Sequence, residues 1–237
     1  MKYLDMFIED CKYYDLENME LKLILKNVDL KDKTLLDVGT GIGRLAFPLT
    51  KYAKKVIALD SDERLEEYFK KRICKNLKFV NQKAEDYLKG NKKFDAILFA
   101  WPTFNINSLN LIKNAMYKKS KFVFITCDNN SDFETIVDKL GVVKKGKFDK
   151  DISNKKKFLN ELPKRFKLTI KKRVKTKYRF PNEKTAFRVI KNGIKMWFGI
   201  TLNEKSEKRL KDIISNHNQK EGIIFKEKIH FYVMNLK

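Results

Sequence analysis

Three glycines on alternate positions, Gly39, Gly41 and Gly43, follow the apolar run Leu35-Leu36-Asp37-Val38, and an apolar-periodic segment comes at once after them. This is the pattern of a strand feeding a glycine turn and then a helix. Glycine takes positive φ and lets a ligand approach the backbone, and the N–H groups opening a helix suit an anion. Asp37 stands two residues before the first glycine. A second apolar run, Val56-Ile57-Ala58-Leu59, ends in Asp60, whose carboxylate can accept hydrogen bonds from both hydroxyls of a ribose. Taken alone, the loop would only join a strand to a helix; loop, helix start and distal acid together point to a bound nucleoside.

In the dinucleotide-binding pattern a glycine falls at position 44, and Arg44 stands there instead. What remains, acid-x-Gly-x-Gly-x-Gly, resembles motif I of the class I S-adenosylmethionine-dependent methyltransferases. The resemblance implies that Gly39, Thr40, Gly41 and Gly43 wrap the methionine part of S-adenosylmethionine, with backbone N–H groups near its carboxylate. It implies that Asp37 lies near the ammonium and that Asp60 holds the ribose. Ser61, beside Asp60, joins that set and can cap the helix beginning there. Asn81-Gln82-Lys83-Ala84-Glu85-Asp86 occupies the place of the adenine-binding segment, with Glu85, Asp86 or the backbone around Ala84 as the contact. Lys83 departs from the acid often found there, and a charged helix start has the same composition.

The resemblance places the methyl acceptor at Phe94–Asn105, FDAILFAWPTFN, the fourth strand and the loop after it. Ala100 borders the cofactor there, and Trp101 and Phe104 either stack on a flat substrate or roof the cofactor. Members that methylate base amines often carry Asp/Asn-Pro-Pro-aromatic at this point. Ala100-Trp101-Pro102-Thr103-Phe104 lacks the acid or amide, so a base-amine acceptor is not supported. Cys127 closes Ile125-Thr126-Cys127-Asp128, and RNA cytosine-C5 methyltransferases place a nucleophilic cysteine in a comparable Thr-Cys. Their Pro-Cys partner is Pro102-Thr103 here, and packing is the plainer role for Cys127. Tyr178 and Trp197 are candidates to line the acceptor pocket, with core packing the alternative for Tyr178. No catalytic base declares itself, and the reaction tolerates its absence, because a sulfonium donor is already activated and much acceleration comes from holding acceptor and methyl in line.

These residues need a scaffold that alternates strand and helix. Strands are expected at Thr34–Val38, Val56–Asp60, Leu77–Val80, Asp95–Ala100 and Lys121–Cys127. Helices are expected near Gly43–Ala53, Asp62–Cys74, Ala84–Lys89, Ser108–Lys119 and Asp132–Leu140. Two amphipathic helices precede them, in the first dozen residues and at Glu20–Lys26. Later come a helix around Asp151–Leu162 that stops at Pro163, a strand Leu168–Phe180, helices Asn182–Phe198 and Glu204–His217, and a strand Ile223–Asn235. The reading is an α/β fold, a Rossmann-like, seven-stranded, mostly parallel sheet with helices on both faces and an antiparallel last strand. Residues 1–237 form a single domain, with N-terminal helices in 1–30, a cofactor-binding core in 34–140 and a C-terminal half in 144–237.

The 237 residues are 43% hydrophobic, enough for a substantial core, and carry a net charge of +23. Such a charge fits a polyanionic partner such as RNA, and equally fits solvated lysines. Thr169, Lys171, Arg173, Lys175, Lys177 and Arg179 share one face of the Leu168–Phe180 strand, which serves RNA or protects a sheet edge. Three scattered cysteines and two remote histidines argue against zinc and disulfides. No signal peptide and no apolar run of ~20 residues is present, so a soluble, cytoplasmic protein without a membrane or metal partner is expected. The expected function is methyl transfer to a small-molecule O, N or C nucleophile. The alternatives are RNA methylation and a non-catalytic S-adenosylmethionine-binding regulator.

Overall fold

The computed structural model describes residues 2–72, 74–102, 108–128, 131–133, 135–142 and 147–237, without the side chains of 147–152. Phe104 lies outside the described residues. Helices α1 (Tyr3–Cys11) and α2 (Met19–Asn27) lead into β1 (Thr34–Val38), α3 (Ala46–Leu49), β2 (Lys55–Asp60) and α4 (Arg64–Lys70). Then come β3 (Leu77–Asn81), α5 (Ala84–Leu88), β4 (Phe94–Ala100), α6 (Ser108–Asn114), β5 (Met116–Cys127) and α7 (Ile136–Leu140). The chain continues through α8 (Lys147–Arg165), β6 (Phe166–Phe180), α9 (Glu183–Phe198), α10 (Glu204–Ser215), β7 (Asn218–Gln219) and β8 (Gly222–Leu236). These elements gather into two units. One comprises Glu20–Thr126, Lys150–Lys172 and His230–Lys237; the other comprises Met1–Met19, Cys127–Asp149 and Arg173–Ile229.

The strand order is β3-β2-β1-β4-β5-β8-β6, with β7 paired to β8. In the first unit β1 lies between β2 and β4, parallel to both, with Val38 opposite Leu59 on one side and Phe99 on the other. Asp60 faces Asn81 of β3, and Ala100 faces Ile125 of β5. The carboxyl ends of four strands are therefore level, and the loops leaving them start side by side. The apolar runs are continuous because both faces of these strands are covered: Leu35, Leu36, Val56, Ala58, Leu59, Ile97 and Leu98 are all buried. On one face Phe158 of α8 packs its ring 5.9 Å from that of Phe99 and 5.1 Å from that of Phe124.

In the second unit the chain beyond β5 pairs with β8 in opposite directions: the Asp128 N–H donates to the Lys228 carbonyl and the Asp132 N–H to that of Lys226. The last strand is thus antiparallel, as expected. Asn182 caps α9 through the Thr185 N–H at 2.9 Å, and Asn203 caps α10 through that of Ser206 at 2.9 Å. The apolar faces of α9 and α10, including Val189, Ile190, Ile194, Leu210 and Ile214, share a core with Phe133, Phe180 and Phe225.

Several boundaries differ from expectation. The helix after the glycines is only Ala46–Leu49, a single turn that holds Pro48, which has no N–H to give to the Arg44 carbonyl. Helix α6 ends at Asn114, and β5 begins at Met116. Pairing shifts between Phe94 and Ala96, where the Ser120 hydroxyl accepts the Tyr117 N–H and donates to the Phe94 carbonyl. Helix α8 carries Pro163 in its final turn, where Glu161 pairs with Lys164 at 2.7 Å and with Arg165 at 3.1 Å. Ser61 does not cap α4; the Asp62 carboxylate accepts the Arg64 N–H at 3.0 Å. No described helix is long and apolar enough to cross a membrane. Cys11, Cys74 and Cys127 take part in no disulfide among the described residues.

Truncating Phe158 to alanine removes a fully buried ring that touches two strands. The Phe158→Ala protein should lose about 3–5 kcal/mol of stability in urea unfolding.

Candidate functional site

The loop between β1 and α3 is built on left-handed backbone, with φ of +70° at Gly39, +54° at Gly41 and +75° at Gly43. Side-chain-bearing residues would be strained at all three. Gly43 is also closed to any side chain, since a Cβ there would sit 2.7 Å from the Phe47 ring. That ring stacks on Phe69, which stacks on Phe79, so the underside of the loop rests on an aromatic pile. Gly39 is the opposite case, because the space where its Cβ would point holds nothing within 4 Å. The loop thus offers an open cradle at one end and a packed base at the other.

The loop's amides are largely spent on holding its own shape. The N–H groups of Gly39 and Thr40 both donate to the Leu59 carbonyl, and that of Gly43 donates to Thr40. The Gly41 N–H donates to Asp60 Oδ2 at 2.9 Å, while Oδ1 accepts the Asp62 N–H at 3.0 Å. These four donors brace the loop instead of facing outward as the helix-start argument expected. Asp60 keeps acceptor capacity, since a carboxylate has about four lone-pair sites and these bonds use two.

Asp37 is 3% exposed, and its Oδ2 accepts the Thr40 hydroxyl at 2.8 Å. Burial pushes its pKa up to about 7, against the lowering effects of the Thr40 bond and the nearby Arg44 guanidinium; the charge on Asp60 adds to the rise. Burial outweighs the Arg44 charge in this carboxyl, and a ligand's ammonium beside it would favour the ionised form further.

The segment after β3 is tied to the same place. The Gln82 N–H and the Asn81 side-chain amide both donate to the Asp60 carbonyl, at 3.0 and 3.2 Å. Ala84 and Glu85 follow directly as the first residues of α5. After β4, Ala100 leads into Trp101, a bulky residue at φ +54° whose N–H donates to the Ile125 carbonyl at 2.9 Å. The Trp101 indole N–H donates to Glu20 Oε1 at 2.9 Å, and Arg44 reaches Glu20 Oε2 at 2.5 Å. Asp37, the three glycines, Thr40, Asp60, Ser61, Ala84, Glu85, Ala100 and Trp101 all belong to this one unit. Glu20 is marked by no motif; an acid in the first turn of an amphipathic helix reads as a solvated charge, and only burial distinguishes it.

Tyr178 and Trp197 belong to the second unit. The Tyr178 ring stacks on Phe133 at 4.6 Å and lies 5.0 Å from that of Tyr14. Its hydroxyl meets Asp10 at 3.4 Å, and burial, with the Asp10 charge, holds its pKa well above the ordinary phenol value. Trp197 stands edge-on to Phe7 at 5.4 Å. Both are described by packing within their own unit. Among the described residues no cluster of three or more His, Cys, Asp or Glu is arranged to hold a metal ion.

Residues 35–119 match the family model described as a methyltransferase domain. Over 118 residues the chain is 34% identical to a probable ribosomal RNA small subunit methyltransferase A of Methanosphaera stadtmanae, covering 47% of this chain and 42% of that one. Over 117 residues it is 27% identical to a ubiquinone biosynthesis O-methyltransferase of Pelagibacter ubique, covering 47% and 49%. The chain spans about half the length of these curated relatives. Among solved structures it resembles the YcgJ protein of Bacillus subtilis, with a TM-score of 0.56 at 16% identity over 92% of this chain and 97% of that one. It also resembles a coclaurine N-methyltransferase bound to N-methylheliamine and S-adenosylhomocysteine, with a TM-score of 0.51 at 13% identity over 90% and 69%.

A carboxyl whose pKa is higher in the folded chain costs stability as pH rises from 3.8 to about 7, and costs nothing below that window. Asp37→Asn keeps the Thr40 bond and removes the titration. The variant should be more stable than the natural chain at pH 8, by on the order of 4 kcal/mol. The advantage should vanish below pH 4, as read by urea unfolding across pH.

Proposed function

We propose, from a fold and a glycine-loop segment that are those of the class I S-adenosylmethionine-dependent methyltransferases, that this chain binds S-adenosylmethionine and catalyses methyl transfer to an O, N or C nucleophile. The observation that carries the reading is the single constellation of Asp37, the open cradle at Gly39 and the half-used carboxylate of Asp60. When bound, S-adenosylmethionine supplies an electrophilic methyl on a sulfonium. Asp60 would accept the ribose hydroxyls with its remaining lone pairs. Asp37 would serve as counterion to the ammonium, and Gly39 to Gly43 would bear on the chain between them. Ala84 and Glu85 would border the adenine, and Ala100 and Trp101 the side where the acceptor enters. The protein's contribution to rate is then orientation and exclusion of water, which needs no dedicated base.

Asp60→Asn removes the charge and keeps one acceptor oxygen, enough for the Gly41 N–H but not also for that of Asp62. Calorimetry should show S-adenosylhomocysteine binding weakened about 10–100-fold, the range for hydrogen bonds to a charged group. Unchanged affinity would refute the ribose assignment.

A small-molecule nucleophile needs only room beside Trp101, and this is the first reading of the acceptor. One observation favours RNA as the second. In the second unit a groove of about 520 Å³ is lined by Lys175, Lys177, Lys220, Lys226 and Lys228, together with Asp15, Glu17, Glu221 and Glu227. The acids are engaged. Glu17 pairs with Lys177 at 2.7 Å and Glu221 lies 3.9 Å from Arg179. Asp15 accepts the Met19 N–H and Glu227 that of Phe133. Among the described residues Lys175, Lys220, Lys226 and Lys228 have no carboxylate within ion-pair distance. Four unneutralised cations along a groove suit a phosphate backbone.

Fluorescence anisotropy with a labelled single-stranded RNA should show log K falling with log salt. Charge reversal at Lys175, Lys226 and Lys228 together should flatten that slope by about 2, at ~0.7 for each phosphate no longer neutralised. A salt-independent or absent interaction leaves the small-molecule reading alone.

A further inference from the structure

Glu20 belongs to none of the motifs, yet it is 0% exposed in the first turn of α2. Glutamate is almost never buried to that degree unless it is paired. Its two oxygens are divided between two loops: Oε2 holds the Arg44 guanidinium and Oε1 the Trp101 indole N–H. Arg44 directly follows Gly43, and Trp101 directly follows Ala100. One side chain therefore links the loop after β1 to the loop after β4.

The link is not explained by packing. A core position is served at least as well by an apolar side chain, since burying a carboxylate costs several kcal/mol before its partners offset it. The bond does not bury the indole either, because Trp101 remains 37% exposed. What the bond does is fix the direction of a ring whose backbone is held at φ +54°, a conformation that costs a bulky residue energy and persists only where surroundings enforce it. Two hydrogen bonds contribute to that enforcement, one from the backbone N–H to Ile125 and one from the indole to Glu20.

We propose that Glu20 is a positioning residue that couples the cofactor loop to the acceptor loop, holding the Trp101 indole as a fixed wall of the acceptor site when the glycine loop is occupied. This rests on the reading that the glycine loop holds S-adenosylmethionine. The coupling follows from the shared charge. Loss or displacement of either partner removes part of the compensation of the buried carboxylate, so Arg44 and Trp101 keep their places together. A wall fixed by cofactor binding confines the nucleophile to the line of transfer, where small misplacements cost large factors in rate.

The chain has two tryptophans, so Trp197→Phe leaves Trp101 as the sole indole reporter. In that parent, S-adenosylhomocysteine should bind by calorimetry and should change both the emission maximum of Trp101 and its quenching by acrylamide. Adding Glu20→Gln should leave the far-ultraviolet circular dichroism unchanged, weaken S-adenosylhomocysteine about tenfold, within the usual span of coupling between sites, and abolish the change in Trp101. If Glu20→Gln does not fold, Trp101→Phe in the natural chain replaces it. That variant removes the indole N–H together with part of the ring and should weaken S-adenosylhomocysteine several-fold. Unaltered affinity together with an unaltered Trp101 response in Glu20→Gln, or unaltered affinity in Trp101→Phe, overturns the proposal. Failure of the parent itself to bind S-adenosylhomocysteine is a different result: it removes the cofactor reading, and this inference with it.

Discussion

The parallel pairing of β1 with both β2 and β4 is the constraint on which the site depends. Parallel neighbours in register end at the same level, so the side chains and loops at their carboxyl ends meet without any further device. The Asp37–Gly43 stretch, Asp60 and Ala100 are separated in the chain and are brought to one edge of the sheet by that pairing. The pairing is in turn secured by burial on both faces, which is why these strands contain almost nothing but apolar residues up to the point where each delivers an acid or a loop. Shifting a strand along its neighbour would move its terminal acid away from the loop and its apolar residues out of the core together.

A glycine loop is often described by what its amides offer a ligand. Here Gly39, Thr40, Gly41 and Gly43 spend their N–H groups on Leu59, Asp60 and Thr40. The loop's value lies in its fixed outline, an open face at Gly39 and a floor of stacked aromatic rings under Gly43. The electrostatics come from side chains. Asp37 is held with an elevated pKa in a buried position, and Asp60 is left with room to accept. The stability given up at Asp37 is localised where a cationic group would recover it, a common arrangement at functional sites.

The parts legible in sequence are those governed by short periodicities. The apolar runs place β1 to β4 to within a residue, and the spacing of Asp37, the glycines and Asp60 names most of the candidate site. The helices are less legible. Only one turn of helix follows the loop, and what reads as the end of a helix is the start of β5, tied to β4 by the Ser120 hydroxyl. Side-chain hydrogen bonds over such distances leave no periodic trace. Glu20 is the clearest case, since nothing local separates a glutamate facing water from one closed between two loops. The aromatic residues Tyr178 and Trp197 show the converse limit: their composition suits a pocket as well as it suits the packing they adopt with Phe133 and Phe7.

The strand order also bears on how the chain is made. Strand β8 lies beside β5, but about a hundred residues are synthesised between them. Until β8 leaves the ribosome, β5 presents a bare edge of unpaired amides and carbonyls beside a finished parallel core. A nascent chain in that state is a template for any passing strand. The lysines Lys118, Lys119 and Lys121 around that edge are a charge that discourages the wrong partner while the right one is still being translated.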